Sequence, residues 1–513
     1  MRVAPVMNTS SKLFRAALVW ATATTALLHG VGATRTVANL GDGLDSGTLR
    51  ATIAKSQPGD VIVFAKGLHG TITLAEGGEL RIDKDLTLRG PGAGLLTVKG
   101  NGVSRVLVIT NATVNLSGLT LSGGHLVGAN GLERVAGEAV FGAGLLNLHS
   151  VAGYVVTVTD CVFRQNSAEG GDGGGTPFGN GGIGGGAYGG ALFNNAVLHL
   201  GGCSFIENSV TGGVGGAGNF VGGTGGHAIG AAICSTGILE MKNCTLANSH
   251  ATGGRGGGVP SNLLTVPGAG GNAEGGGVYS SGQLAIQSCT VSGAVLTGGL
   301  GGAGGVSDGV SGGSFGGGIR VGDGSAEIGN TLVAGNTGQD APEVSGTFVS
   351  RGFNLVGAVD GSTGFTQTTD QKGTVLTPLN PRLGPLDDHL GPTPTYSLLA
   401  DSPAVDRGFA FGESVDQRGA PRPSDVASIP NVGDGTDIGA HEWVQPHLAI
   451  SAIPGSVVVS WSIFTPGQTL WSGPGLTGTG WAPVSGVPAK VGSGYWVTNV
   501  PPSGTAFFRL VGP

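Results

Sequence analysis

Charge is scarce in this chain: of 513 residues, 25 are Lys or Arg and 32 are Asp or Glu, for a formal net charge of −7. No run of Lys or Arg breaks that balance, so there is no electrostatic footprint for nucleic acid or an anionic membrane. Aromatic residues make up 5%, and the five cysteines form neither a Cys-x-x-Cys pair nor a Cys/His cluster. An odd count without those spacings disfavours both a disulfide framework and a zinc site. Past the N-terminus no apolar run approaches the ~20 residues of a membrane-spanning helix.

What is abundant is glycine, at 105 residues, roughly 20% against about 7% in ordinary proteins. The hydrophobic fraction of 39% and the low charge exclude disorder driven by charge. A chain of this length is too long for one compact core, so it is several domains or one elongated repeat. Residues 1–33 read as a secretory signal: Arg2, Lys12 and Arg15 precede the apolar run Ala16–Leu28, and Val31-Gly32-Ala33 supplies small residues for cleavage.

Four cysteines fall in one frame: Cys161, Cys203, Cys244 and Cys289, with Thr331 continuing it. Five residues before each sit Val156, Leu198, Leu239, Leu284 and Ala326, and three before sit Val158, Leu200, Met241, Ile286 and Ile328. Two after sit Phe163, Phe205, Leu246, Val291 and Val333, and five after come Asn166, Asn208, Ser249, Ala294 and Asn336. Self-similarity at about 42 residues marks a solenoid. The period inside each unit is 2, the strand period, with no helical spacing. Each unit therefore predicts one coil of three short strands: one opened by glycine, one of alternating apolar residues, and one beginning at Cys. Stacked coils put equivalent side chains atop one another about 4.8 Å apart. The cysteines then form a file of small apolar residues in a crowded interior. The Asn file sits at coil corners, where Asn bonds its own turn and its stacked neighbour. The glycine-rich stretches near 170–186, 212–226, 253–277 and 298–318 all leave after the Cys strand. They are expected to form a fringe of flexible or mutually packed loops on one face.

Residues 34–121 read as a cap and the first coils, with "TITL", "DLTLRG" and "LLTVKG" as short strands. Leu49 and Ile53 suggest a short amphipathic helix, stopped at Pro58-Gly59, that plugs the open apolar end. Residues 122–338 carry the glycine-rich repeats and 339–443 the closing coils. Residues 444–513 hold four of the six Trp, with Trp443 at their edge, and read as a small β-sandwich of alternating strands. Core packing is the expected use of those Trp.

The run from Thr36 to Leu74, followed by "LTLRGPGAGLLTVKG", resembles the opening of bacterial secreted right-handed β-helix proteins. The coils resemble the repeats of polymorphic outer-membrane proteins, best at "GGALFNN…CSFIEN" within Gly189–Asn208. Residues 353–442 resemble the choice-of-anchor Q segment, through "FNLVG", "DQRGAPRP" and "DIGAHE". That family commonly carries a sorting tail after the segment; here a Trp-bearing β-module follows. The resemblance implies a β-helix and a secreted or cell-surface location, and it assigns no reaction and no catalytic residue.

The residues therefore predict an all-β, right-handed parallel β-helix with glycine-rich insertions and a small C-terminal β-sandwich. The expected role is a scaffold or adhesin-like protein. It has no catalytic, cofactor-binding or metal residues and no cofactor. It meets an extracellular polysaccharide or cell-surface partner as a monomer, with no nucleic acid and no transmembrane span. The rival is a carbohydrate-active β-helix enzyme, which needs paired carboxylates or a calcium cluster on adjacent coils. Glu207 and Glu240 lie in different frames, at +4 and −4 from their Cys, and make no such pair. Asp172 and Asp308 lack the nonapeptide period of calcium-binding repeats. Asp387-Asp388-His389 has metal-site chemistry but sits in a Gly/Pro loop. Asp406, Asp416, Arg418, Arg422, Asp437 and Glu442 are expected as buried ion pairs that close the last coils.

Overall fold

The computed structural model describes residues 32–75, 78–261 and 265–445. In the C-terminal segment it describes 448–453, 456–462, 468–475, 480–485, 488–491, 494–499 and 506–511. All but the last two residues of the expected signal lie outside this set. The chain is a parallel β-helix. Its only helix among the described residues, Leu49–Lys55, is the expected plug. Thr48 caps it by accepting from the Ala51 N–H, and Leu49 and Ile53 are buried against the first coil.

Each coil has the three predicted strands. The alternating apolar strand Val155–Thr159 pairs in parallel with Val197–Gly201, then Ile238–Lys242, Gln283–Gln287 and Ser325–Gly329. The strands that follow the Cys positions stack likewise, Val162 on Ser204, Thr245, Thr290 and Leu332. The glycine-opened strands stack Leu145 on Leu192, Ile233, Val278 and Ile319. The early coils are shorter because they carry no insertion: Val61 pairs with Thr87, and Thr87 with Asn115.

The register places Cys161, Cys203, Cys244, Cys289 and Thr331 one above another, all fully buried. Burial pushes the thiols of Cys161, Cys203 and Cys244 up, so they stay neutral. The position asks for more than small size. The Cys244 N–H meets the Cys289 Sγ at 3.4 Å, and the Cys289 N–H meets the Thr331 Oγ1 at 3.4 Å. The Thr331 N–H donates to Asn354 Oδ1, and the Asn354 N–H to Asp370 Oδ1. The frame thus selects a small side chain with an acceptor atom for the preceding coil. Phe163 and Phe205 stack two residues on, with centroids 4.7 Å apart.

The bends are left-handed at fixed positions. Asp160, Gly202, Asn243, Ser288 and Asn330, each one before the frame residue, have φ between 48 and 62°. Gln165, Glu207 and Asn248, four after, repeat that conformation at 53–55°. This is why Asn, Asp and Gly gather there. The Asn file lies one residue past the second bend and points inward. Asn166 donates through its N–H and Nδ2 to Asn208 Oδ1, both at 3.1 Å. Further along, Asn336 rests on Glu343, whose carboxylate takes its Nδ2 at 2.7 Å.

Residues 339–443 depart from the expectation of closing coils. Val344–Gly352, Leu355–Val356, Ser362–Thr363 and Gln371–Lys372 complete the last turns. Residues 383–443 then turn back and strap the outside of the Cys-led strands. The antiparallel pair Leu383–Asp387 and Thr395–Leu398 brings Leu386 and Tyr396 onto Val162, Ile206 and Ala247. Gln417 donates to Ser204 Oγ and Thr393 Oγ1 and accepts from Thr245 Oγ1. The outward face of that sheet carries Val, Ile, Ser and Thr and needs a cover, which explains the strap better than another coil does.

The C-terminal segment is the expected sandwich. A four-stranded antiparallel sheet faces a three-stranded one, and Val459, Trp461, Leu470 and Val497 form the core between them. Trp461 is core, whereas Trp471 and Trp481 lie under the Arg509 guanidinium and Trp496 is exposed.

The glycines of the insertions are close-packed. A Cβ on Gly213 would lie 2.0 Å from the Gly171 carbonyl oxygen. Gly213→Val is expected to lower stability by about 3 kcal/mol or more. Val214→Ser, next to it and exposed, should stay within about 0.5 kcal/mol. Denaturant unfolding of the two variants separates them, and equal values would refute close packing.

Candidate functional site

The glycine-rich insertions hydrogen-bond into a slab that extends each coil sideways. A fifth insertion, at 128–139, precedes the four named from sequence; each leaves through a short strand (His125–Val127, Ser167–Glu169, Ser209–Thr211, His250–Thr252, Val295–Thr297), makes an outgoing and a returning segment, and re-enters through a two-residue strand such as Val140–Phe141 or Ala187–Tyr188. The bonding follows a period of three. In the outgoing segments Gly170, Gly173 and Thr176 donate to Thr211, Val214 and Ala217 of the next coil. Gly171 and Gly174, one residue on, donate across to Glu138 and Val135 of the preceding return. Gly212 and Gly215 with Gly213 and Gly216 repeat the scheme one coil later, and Gly253 and Gly256 with Gly254 and Gly257 repeat it again. The third residue of each triplet faces solvent: Asp172, Val214, Arg255 and Leu300 going out. Three residues per turn without internal bonds is the polyproline II geometry, and close packing of such helices admits only glycine at their contacts. A Cβ on Gly226 would come within 1.9 Å of the Gly185 oxygen, and one on Gly271 equally close to that of Gly226. Of the two expected alternatives, flexible or mutually packed, the insertions take the second.

At the far edge of the slab the insertions turn, and the described residues at each turn include an exposed large apolar side chain. Leu132 is 81% exposed, Phe178 76%, Phe220 54%, Val266 60% and Val306 73%. Successive turns belong to adjacent coils, so these side chains lie along one edge of the slab without sharing one register position: Val266 pairs with Val221, the neighbour of Phe220. A glycine slab has no side chains with which to cover them.

The charged groups named from sequence do not come together as a reactive centre. Asp387 and Asp388 are exposed; Asp387 Oδ1 takes the Asp388 N–H, and His389 Nε2 contacts the Pro385 oxygen. Asp172 takes the Val214 N–H at 2.8 Å, and Asp308 bonds within its own turn. Among the described residues no three His, Cys, Asp or Glu are placed to share a metal ion. Glu207 occupies a left-handed corner, 3.8 Å from Arg164. Four of the strap's charges form buried ion pairs as expected, holding the strap and not the last coils, whereas Asp406 and Asp437 are satisfied by backbone N–H groups. Arg422 meets Glu442 at 3.0 Å and Arg418 meets Asp416 at 2.8 Å, with all four side chains within 1% of full burial. Asp437 accepts the Asp406 and Trp443 N–H groups, and burial together with the neighbouring Glu442 raises its pKa. His441 is buried beside Arg418 and Arg422 and is held neutral.

One convergence escaped the sequence reading. Thr157, His199, Glu240, Ala285 and Glu327 are each four residues before the frame position and form one outward column. Glu240 and Glu327 share it two rungs apart. His199 Nδ1 meets Glu240 Oε2 at 2.9 Å and Arg351 Nε meets Glu327 Oε1 at 3.3 Å, while Lys242 beside them bonds Glu413 of the strap at 2.8 Å. The shared −4 spacing was the available signal; comparing Glu240 with Glu207 obscured it.

No family model matches this chain, and no curated protein matches it.

Glu343 yields a pH test. Burial raises its carboxyl to about 7, against the bonds from Asn336 and Gly335 that lower it. A carboxyl whose folded pKa exceeds its unfolded value adds stability below the unfolded pKa and loses it as pH rises through the folded one. Glu343→Gln should therefore gain on the wild type between about pH 4.5 and pH 8. Comparing both unfolding midpoints at each pH cancels the opposite contribution of His441, and a pH-independent difference would contradict the assignment.

Proposed function

We propose that this chain is a secreted or cell-surface scaffold, adhesin-like, in which a β-helix carries a rigid glycine slab and the slab presents its row of apolar turns to an extracellular partner. The observation that supports this reading most is the row itself. Five consecutive insertions each expose a large apolar residue on a backing bonded at every glycine contact. Exposed apolar clusters of this kind mark interaction sites on soluble proteins. The signal-like N-terminus and the resemblance to bacterial polymorphic outer-membrane and choice-of-anchor proteins support the location. The C-terminal sandwich, with Trp496 exposed, is assigned to attachment or sugar contact. No cofactor is required for this role.

Particles coated with the full chain are expected to adhere to an extracellular polysaccharide matrix. Particles bearing Phe178→Ser, Phe220→Ser and Val306→Ser together should adhere about tenfold less, with an unchanged unfolding midpoint. Equal adhesion would reject the turns as the contact edge.

The rival reading, a polysaccharide hydrolase or lyase, draws on Glu240 and Glu327, because paired carboxylates are what glycoside hydrolysis needs. Glu240 is hydrogen-bonded to His199 and Glu327 is paired with Arg351. We expect no turnover of pectin, alginate or neutral polysaccharides, with or without calcium, in an assay of released reducing ends and unsaturated products. Activity abolished by Glu240→Gln or Glu327→Gln alone would reverse the choice.

A further inference from the structure

The face of the alternating strands, away from both the slab and the strap-covered sheet, carries two concavities of about 320 and 230 Å³ that share Ile238. The first is lined by His149, Tyr154, Asn195 and Val197, the second by Glu240, Gln283, Ala285, Ser325, Glu327 and Val349. Together they run along the solenoid axis from the coil of Tyr154 to that of Val349. Five rungs at about 4.8 Å make this roughly 24 Å. We propose that this groove binds an extended, uncharged glycan, with its centre over Ala285.

The chemistry of the lining selects that ligand. Ala285 is the one small residue in its column between Glu240 and Glu327, so the carboxylates stand on either side of a gap two rungs, about 9.6 Å, wide. Carboxylates accept hydrogen bonds and donate none, and with Gln283 and Ser325 they present acceptors to a ligand rich in hydroxyl groups. Ile238, Ala285 and Val349 supply apolar floor for the C–H faces of sugar rings, and Tyr154 supplies an aromatic ring at one end. The His149 ring sits edge-on to Tyr154, 5.5 Å away, and its Nε2 is buried without a protein partner. Burial lowers the pKa of that imidazole.

Other polymers fit less well. Glu240, Glu327 and Glu413 oppose a polyuronate or a nucleic acid; Lys242 and Arg351 are each paired with one of those carboxylates, and His199 is hydrogen-bonded to Glu240. A peptide gains little, because the floor is a sheet face with neighbours on both sides and offers no free edge for strand addition. This inference is independent of the adhesion edge: the apolar turns lie on the slab, and losing them leaves the groove intact.

The test is affinity electrophoresis of the full chain in gels containing a neutral β-glucan, a neutral galactan or polygalacturonate. Retardation is expected with a neutral polymer and not with polygalacturonate. Ala285→Phe, which fills the gap, should weaken it about tenfold or more. Val349→Arg, an exposed change that the fold tolerates, should weaken it by a similar factor. Glu240→Gln with Glu327→Gln should admit polygalacturonate. Migration unaffected by every neutral polymer, retardation unchanged in both Ala285→Phe and Val349→Arg, or stronger retention of the wild type by polygalacturonate would each overturn the proposal.

Discussion

Everything in this molecule depends on coils stacking in parallel register at one β-rung per layer. Backbone pairing between layers sets the spacing, and each side chain then meets its own equivalent above and below. A column must therefore satisfy itself. The Cys–Thr331–Asn354–Asp370 file does so with small side chains that accept the N–H of the preceding coil. The Asn file does so with amide-to-amide bonds and rests on Glu343. Buried polar groups cost little only when bonded, and the register supplies the bonds.

The same stacking explains the glycine content. An insertion at one point of each coil inherits the rung spacing, so consecutive insertions are held side by side from their first residue. At that separation outgoing and returning segments bond in three directions, and a Cβ at the contacts would collide with a carbonyl. Two residues in three must be glycine there, and only the third is free to vary. The variable residues and the turns are thus where this architecture can change its surface without disturbing its interior. The slab also explains how a chain with so much glycine avoids a disordered fringe: backbone bonds replace side-chain packing as the source of order.

The strap shows how one face of the solenoid is closed. The Cys-led strands present Val, Ile, Ser and Thr outward, and residues 383–443 bury them through Leu386, Tyr396, Gln417 and Thr393. The strap holds its shape with fully buried ion pairs, which become strongly destabilising when one partner is lost. The face of the alternating strands is left open, and the strap reaches only its margin, through the bonds of Glu413 to Lys242 and Gln287.

How much of this was legible beforehand follows from what is periodic. The coil, its three strands, the Cys file, the plugging helix at Leu49–Lys55 and the C-terminal sandwich could all be read, because strand alternation and a 42-residue frame are written along the chain. The corners were legible only one residue off: the Asn file five after the frame residue was expected there, whereas the left-handed bends lie one before and four after it. The strap could not: its partners Ser204, Thr245 and Asn248 lie some 150 to 210 residues away, and no period links them. The order of the slab was equally hidden, because a run of glycine is as compatible with a loose loop as with a packed helix until its neighbours are known. The sequence by itself determined the solenoid, since a repeated pattern of alternating residues has one economical way to bury itself. The tertiary structure alone decided that the glycines are rigid, that the last segment doubles back, and that Glu240 and Glu327 flank one gap. Those facts depend on which distant segments come within bonding distance, and local chemistry does not encode that distance.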